Sequence, residues 1–358
     1  MKTVTFGFGT PLEGGQVRLN VTIKDVARVA KVSVATVSRA LNGHDNVTEG
    51  VRAAVLKAAN DLRYTPHAAA RSLSSKRTNT IGVVLPDLYG EFFSELVRGI
   101  DQVAREHGKY LLVSSYHGHP EEQGAALRAM RGRVDGLLVM SPYVHESGFL
   151  TENLPSSLPV VLINTHLPDA GYLSLRIDNH GAAVQMVQHL VAGGRRRIAF
   201  ITGPEDNFDA RERLRGYREA LAELLPDTKE WVFAGDFGES SGHAAGVAIA
   251  KAKVRPDAVF AANDMMALGC LFALNQASIH VPDDIALVGF DDIPLARYVQ
   301  PPLTTMRVNI SELGARALRA LLDAGSESAN DNSPIIPKLI ERASSESSGR
   351  SSERGDSS

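Results

Sequence analysis

From Thr80 to Asp292 the chain carries nine short apolar runs, rich in β-branched residues and separated by stretches with helical spacing. "TIGVVLP", "KYLLVSSY", "VDGLLVMS", "PVVLINT" and "LSLRID" read as strands of one sheet; "RRIAFITG", "EWVFAGD", "DAVFAAND" and "DIALVGFDD" read as strands of another. Near-continuous apolar strands alternating with helices imply parallel strands covered on both faces. The body is therefore expected to be two doubly wound α/β subdomains. Ligands of such sheets bind beyond the carboxyl ends of the strands, which makes the cleft between the subdomains the expected pocket. A chain of 358 residues has room for this and for one further small domain.

That further domain is expected ahead of the body. Thr22 can cap a helix, with Asp25 three residues on, and Ile23, Val26, Ala27 and Ala30 then share one apolar face. Lys31-Val32-Ser33 breaks the run, and Ser33 can cap a second helix that buries Val37, Ala40 and Leu41. A third helix, capped by Thr48, turns Val51, Val55, Ala58 and Leu62 inward. Three short helices around one small core make a helix-turn-helix plan. The outward face of the second helix presents Val34, Ala35, Thr36, Ser38 and Arg39. Arg39 can pair with guanine, while the hydroxyls of Thr22, Ser33, Thr36 and Ser38, with Asn42, suit phosphate oxygens. The alternative is a three-helix cap with a solvated polar face.

Charge favours the first reading. Asn20 to Arg77 holds ten cations and four anions, +6, against -9 for the remainder of a chain whose net charge is -3. A basic segment on an acidic body implies a polyanionic partner for that segment. The following stretch, "YTPHAAARSLSSKR", opens on a proline suited to a first helical turn and ends in cations. Leu73 on so short a helix can wedge between base steps in a minor groove; the alternative is a plain linker.

Through "TIKDVARVAKVSVATVSRALNG" and "RYTPHAAARSL" the chain resembles the LacI/GalR family of bacterial transcription regulators. The resemblance implies that Arg39, Val34 and Ala35 read bases in the major groove. It also implies that paired hinge helices insert Leu73, with Ala70 beside it, at the operator centre. It extends over the body through "GEFFSELVRGI", "IDNHGAA", "DARERLRGYREAL", "FAANDMMALG" and "VGFDDIPLARYVQPPLTTMR".

Polar residues gather at the strand ends of the body: Asp87, Asn164, Asp178-Asn179, Asn263-Asp264 and Asp291-Asp292. Carboxylates and amides beside an aromatic wall suit a polyhydroxylated ligand, since each hydroxyl both donates and accepts. For Asn179 and Asp292 a helix-cap or turn role is the favoured one. The resemblance implies effector contacts from Phe92, Phe93, Arg211, Phe237, Asn263 and Asp291, to which the strand-end residue Asp87 is added. Gly90-Glu91 stands where many relatives have Asn-Pro, which alters the pocket rim. Glu205 and Asn207 stand where purine-sensing members carry an arginine and a threonine, which disfavours a purine corepressor.

Enzyme readings are weaker. Gly238 to Gly242 fits G-x-S-x-G, but the nucleophile elbow needs its serine directly after a strand, and "WVFAG" ends about five residues earlier. His117 and His119, with Glu121 and Glu122, lack the partner pattern of a metal site. Asp291 and Asp292, adjacent on one strand end, are expected to point apart. No metal and no cofactor is expected. Cys270 lies in an apolar run and reads as a buried thiol, and its being the sole cysteine fits a reducing compartment. The first residues lack an apolar signal core, and no run reaches the roughly 18 apolar residues of a membrane span.

The sequence thus divides into an extension at 1–19 (disordered, or preceding a true start at Val17), a headpiece at 20–66, a hinge at 67–79, a body at 80–341 with crossings near 178 and 308, and a disordered Ser-rich tail at 342–358. The expected protein is a cytoplasmic repressor, associated with the nucleoid when bound. Its expected partners are a pseudo-palindromic double-stranded operator, a carbohydrate effector and a second copy of itself. The absence of a C-terminal leucine heptad favours a dimer over a tetramer.

Overall fold

The structure, a computed structural model, describes residues 21–42, 46–64, 77–154, 158–167, 171–323 and 333–346. The chain falls into two units divided between Thr78 and Asn79.

The first unit is the three-helix headpiece: α1 (Ile23–Ala30), α2 (Val34–Leu41) and α3 (Glu49–Asp61). The Asp25 carboxylate accepts hydrogen bonds from the amide and the hydroxyl of Thr22, at 3.0 and 2.8 Å, and so closes the first turn of α1. Those bonds hold its pKa down at about 2. Lys31 ends the helix in the left-handed region, at φ 56°. Ser33 Oγ then accepts from the Thr36 amide at 3.1 Å and starts α2 two residues later. Val26, Val37 and Val55, one from each helix, have no exposed surface. Each such side chain stabilises by about 1.5–3 kcal/mol.

The second unit contains two parallel sheets. Its first lobe opens with β1 (Thr80–Leu85), α4 (Glu91–Glu106), β2 (Tyr110–Ser115) and α5 (Pro120–Ala129). It continues through β3 (Gly136–Met140), α6 (Ser147–Asn153), β4 (Val160–Ile163) and β5 (Leu173–Leu175). The second lobe runs through α7 (Asn179–Ala192), β6 (Ile198–Ile201), α8 (Phe208–Leu224), β7 (Trp231–Phe233) and α9 (Glu239–Lys251). β8 (Ala258–Ala261), α10 (Asp264–Gln276), β9 (Ala286–Asp291), a 3-10 turn (Pro294–Arg297) and β10 (Thr304–Arg307) complete that pass. The chain returns to the first lobe as α11 (Ile310–Leu322), which packs on α4, β3 and β4, and comes back to the second sheet as β11 (Lys338–Ile340).

The strand orders are β2-β1-β3-β4-β5 and β11-β10-β9-β8-β6-β7, parallel throughout except at β10–β11. All nine runs read from the sequence form strands. β10 and β11 were not read as strands. "TTMR" has three polar residues in four and β11 has three residues on an edge, so neither gives the apolar signal of a central strand. The chain crosses between lobes after β5, after β10 and again between α11 and β11, one crossing more than expected.

The C-terminal boundary also moves. Arg342 to Ser345 are not tail: Ser344 Oγ donates to Leu287 O at 2.5 Å and accepts from the Thr304 amide at 2.8 Å. Arg342 Nη2 bonds Asp292 Oδ1 at 2.6 Å, and Ser344 and Ser345 are buried. A Ser-rich composition hid this segment because its contribution is hydrogen bonds to the starts of β9 and β10, not apolar burial. Cys270 is buried, as read, and burial pushes its thiol pKa up to about 12.

Candidate functional site

In the headpiece, Val34, Ala35 and Arg39 of α2 are exposed, with Val34 at 41 %. Among the described residues no carboxylate pairs with Arg39. The hydroxyls beside them are partly engaged: Ser33 Oγ lies 2.9 Å from Thr36 Oγ1, and Ser38 Oγ accepts from Asn42 Nδ2 at 3.4 Å. Each keeps further hydrogen-bonding capacity for a phosphate oxygen. Thr22 is exposed at the start of α1. Ala70 and Leu73 lie outside the described residues.

In the body, a cavity of about 80 Å³ lies between the two lobes. The first lobe supplies Phe92, Phe93, Met140 and Asn164; the second supplies Asp209, Arg213, Phe237, Asn263 and Asp291. Most of these stand just past the carboxyl ends of strands or in the first turns of the helices that follow. Phe92 and Phe93 pack edge to face with ring centroids 5.4 Å apart. Asn164, Phe237 and Asp291 all have positive φ, at 48, 72 and 110°. Side chains other than glycine rarely adopt such backbone, and its clustering around one cavity marks a site that the surrounding fold holds under strain.

A buried charge network forms the floor. Arg213 Nε donates to Asn179 Oδ1 at 2.8 Å and its Nη1 to Ala262 O at 2.5 Å, while its guanidinium lies 3.7 Å from the centroid of the Phe290 ring. Asp209 accepts from Asn179 Nδ2 at 2.9 Å and from Asn164 Nδ2 at 2.5 Å, the latter across the lobes. Burial raises the Asp209 pKa to about 7, with Arg213 opposing, and likewise raises that of Asp291 to about 6. Arg213 Nη2 approaches Asp291 Oδ1 at 3.4 Å, an ion-pair distance without hydrogen-bond geometry. This buried oxygen therefore keeps an unmet acceptor. Asn263 holds the Phe237 wall by donating from Nδ2 to Phe237 O at 2.9 Å, while its Oδ1 caps α10. At the far rim His166 stacks on Phe208 at 3.7 Å, and burial lowers its pKa to about 4.

Residues 22–67 match the family model described as bacterial regulatory proteins, lacI family, and residues 187–345 match that of the periplasmic binding protein-like domain. The ribose operon repressor of Escherichia coli (strain K12) is 38% identical over 331 residues, spanning 90% of this chain and 99% of that protein. The chain belongs to the LacI family. Catabolite control protein A of Priestia megaterium is 36% identical over 327 residues, 90% of this chain and 98% of that protein. A crystal structure of the lac repressor dimer bound to operator and the anti-inducer ONPF superposes with a TM-score of 0.78 at 28% identity, covering 91% of this chain and 99% of that one. The chain is thus a DNA-binding transcriptional regulator of the LacI family, with a helix-turn-helix headpiece and a periplasmic-binding-protein-like body. The family is one of regulators, not enzymes.

Set in that family, two expected effector contacts do not reach the cavity. Arg211 is exposed on α8, its Nη2 3.4 Å from His145 Nδ1. Two residues further on, about 200° around the helix, Arg213 faces inward. Asp87 folds its carboxylate back onto the amides of Leu88 and Tyr89, at 2.6 and 3.1 Å, and so shapes the β1–α4 turn. Asn179 is not a helix cap: Asp178 caps α7, and Asn179 is a buried member of the network. Asp292 is a turn residue with φ 56°, and its carboxylate is buried against Arg307 and Arg342.

Arg213, Asp209 and Met140 were missed, and Asn164 was noted only as a strand-end residue. The Asp209–Arg213 pair sits at i,i+4 on one helix face, a spacing that the run "DARERLRGY" displays. Ser240, the serine of the G-x-S-x-G stretch, lies in the first turn of α9 and not at a turn directly after a strand, and its neighbour Ser241 fastens that helix start by bonding Gly238 O at 2.9 Å and the Asp236 amide at 3.1 Å. Among the described residues no cluster of three metal-ligating side chains occurs, and no helix is long and apolar enough to cross a membrane.

Proposed function

We propose that this regulator is a cytoplasmic homodimeric repressor whose hold on its operator is set by a neutral, polyhydroxylated small molecule, a sugar, bound between the lobes. The observation that carries the effector class is the unmet acceptor on Asp291 between aromatic walls from both lobes. A sugar hydroxyl can donate to it while its C–H face covers Phe92, Phe93 or Phe237. Among the described lining residues Arg213 is the sole cation, and it already faces two carboxylates. An anionic ligand such as a sugar phosphate would meet no surplus positive charge, so the neutral sugar is preferred. The working effector contacts are Phe92, Phe93, Asn164, Asp209, Arg213, Phe237, Asn263 and Asp291.

On DNA, Arg39 with Val34 and Ala35 reads bases in the major groove, and Thr22, Ser33, Thr36, Ser38 and Asn42 fix the register on phosphates. Two headpieces on one dimer match a pseudo-palindrome. Leu73, with Ala70, wedges the minor groove at its centre. Operator selection from random DNA, repeated with a panel of sugars and sugar phosphates, tests the whole reading. A palindrome released or tightened by one neutral sugar is expected. A response only to phosphorylated compounds would overturn the effector class.

A further inference from the structure

The short turn before α4 reaches across the cleft mouth. The hydroxyl of Tyr89 donates to Glu239 Oε1, and Glu91 Oε2 accepts from the Leu295 amide at 3.1 Å. Both bonds join the first lobe to the second, and both attach to segments that carry the cavity walls. Glu91 directly precedes Phe92 and Phe93, Glu239 follows Phe237 by two residues, and Leu295 lies four beyond Asp291.

Between the two bonding residues stands Gly90 at φ 92°, a conformation that favours glycine and lets the turn fold back over the mouth. Tyr89 is 63% exposed and Leu88 49%, so polar bonds and not apolar burial hold the turn in place. Glu239 Oε2 is dry and has no hydrogen-bond partner. The joined state therefore leaves one carboxylate oxygen unsatisfied, which separation of the lobes would rehydrate.

We propose that Tyr89 and Glu91 form a two-point clasp that holds the cleft closed and retains the effector. They act as positioning residues for the lobes and make no contact with the effector themselves. Its purpose rests on the reading of the cavity as the effector site; its test does not.

Hydrogen exchange on the ligand-free full chain reads the clasp through a bond remote from it. The Phe208 amide donates to Pro142 O at 3.0 Å across the opposite rim, so its protection reports lobe separation. Tyr89→Phe combined with Glu91→Ala is expected to speed exchange at Phe208 about tenfold while leaving the central strand β8 protected. Unchanged exchange at Phe208, or equal acceleration at Phe208 and β8, would overturn the clasp. In the first case the bonds are passive surface contacts; in the second they hold the fold and not the cleft. With a neutral monosaccharide that the wild type retains, the same pair of substitutions is expected to raise its release rate about tenfold. If no sugar binds, the effector reading fails while the exchange result stands.

Discussion

Two residues on α8 separate an arginine in solvent from one in the cavity between the lobes, and under the proposed function they should behave oppositely. Arg213→Lys keeps the charge but loses the fork that bonds Asn179 and Ala262 at once. It should lower sugar affinity at least about tenfold, a loss of about 1.4 kcal/mol. Arg211→Ala, on the exposed face, should leave that affinity within error. Calorimetry on both variants decides, with retained operator binding as the control for folding; the reverse pattern would move the effector site. Asp209 gives a pH prediction. Its folded pKa is about 7, against 3.8 for the free group, so the folded state binds more protons between those values. Stability from this group is present below about pH 4 and is lost as pH rises through about 7, with a full amplitude on the order of 4 kcal/mol. Asp291, raised to about 6, acts in the same direction. Thermal melts should show a higher Tm near pH 5 than near pH 8, with a smaller difference in Asp209→Asn. An equal slope in the variant would assign the dependence to other groups.

At the scale of elements, the crossover helix α11 docks on α4 by close backbone approach. A Cβ at Gly99 would collide with the Ser311 carbonyl, and one at Gly314 with that of Leu96. Gly99→Ala should therefore destabilise the body by about 1–3 kcal/mol, read as a lower denaturation midpoint; no loss would mean that α11 can shift freely on the first sheet. On α2 the expected effect is one of specificity. Arg39→Ala should relax preference at one base pair per half-site by about 1–3 kcal/mol, measured by selection, and an unchanged preference would remove Arg39 from direct readout. These elements were largely legible in the sequence, because period and apolar content report burial. The nine strands with apolar runs and the three headpiece helices follow from that signal. β10, β11 and Arg342–Ser345 do not, since β10 is rich in polar residues, β11 is a three-residue edge strand, and Arg342–Ser345 are held by hydrogen bonds between residues far apart in the chain. The cavity was half legible for the same reason. Phe92, Phe93, Phe237, Asn263 and Asp291 stand near strand ends or helix starts that the pattern locates, whereas choosing Arg213 over Arg211 required the phase of α8 against a partner lobe.

For the molecule as a whole, three crossings join the lobes, and the cross-lobe bond from Asn164 to Asp209 sits beside the first of them, where Asn164 Oδ1 also accepts from the Ile177 amide at 3.1 Å. A ligand touching Asn164 and Asp209 together would bias the angle at that crossing, and only a ligand with different affinities for the two angles can shift operator binding. Whatever factor the effector imposes on operator affinity, the operator must impose on effector affinity. Coupling of this kind is typically about 5–150-fold. The proposed dimer should therefore bind its sugar with a dissociation constant that changes by that factor when a saturating operator duplex is added. The change in operator affinity, measured at saturating sugar, should equal it. Arg213→Lys should weaken sugar binding in both states without altering ligand-free operator affinity. If ligand-free affinity changed as well, Arg213 would be setting the balance between the lobe angles, and not only reading the sugar. If the operator left sugar affinity untouched in the wild type, the cleft and the headpiece would be energetically separate, and the control mechanism proposed for this repressor would fail.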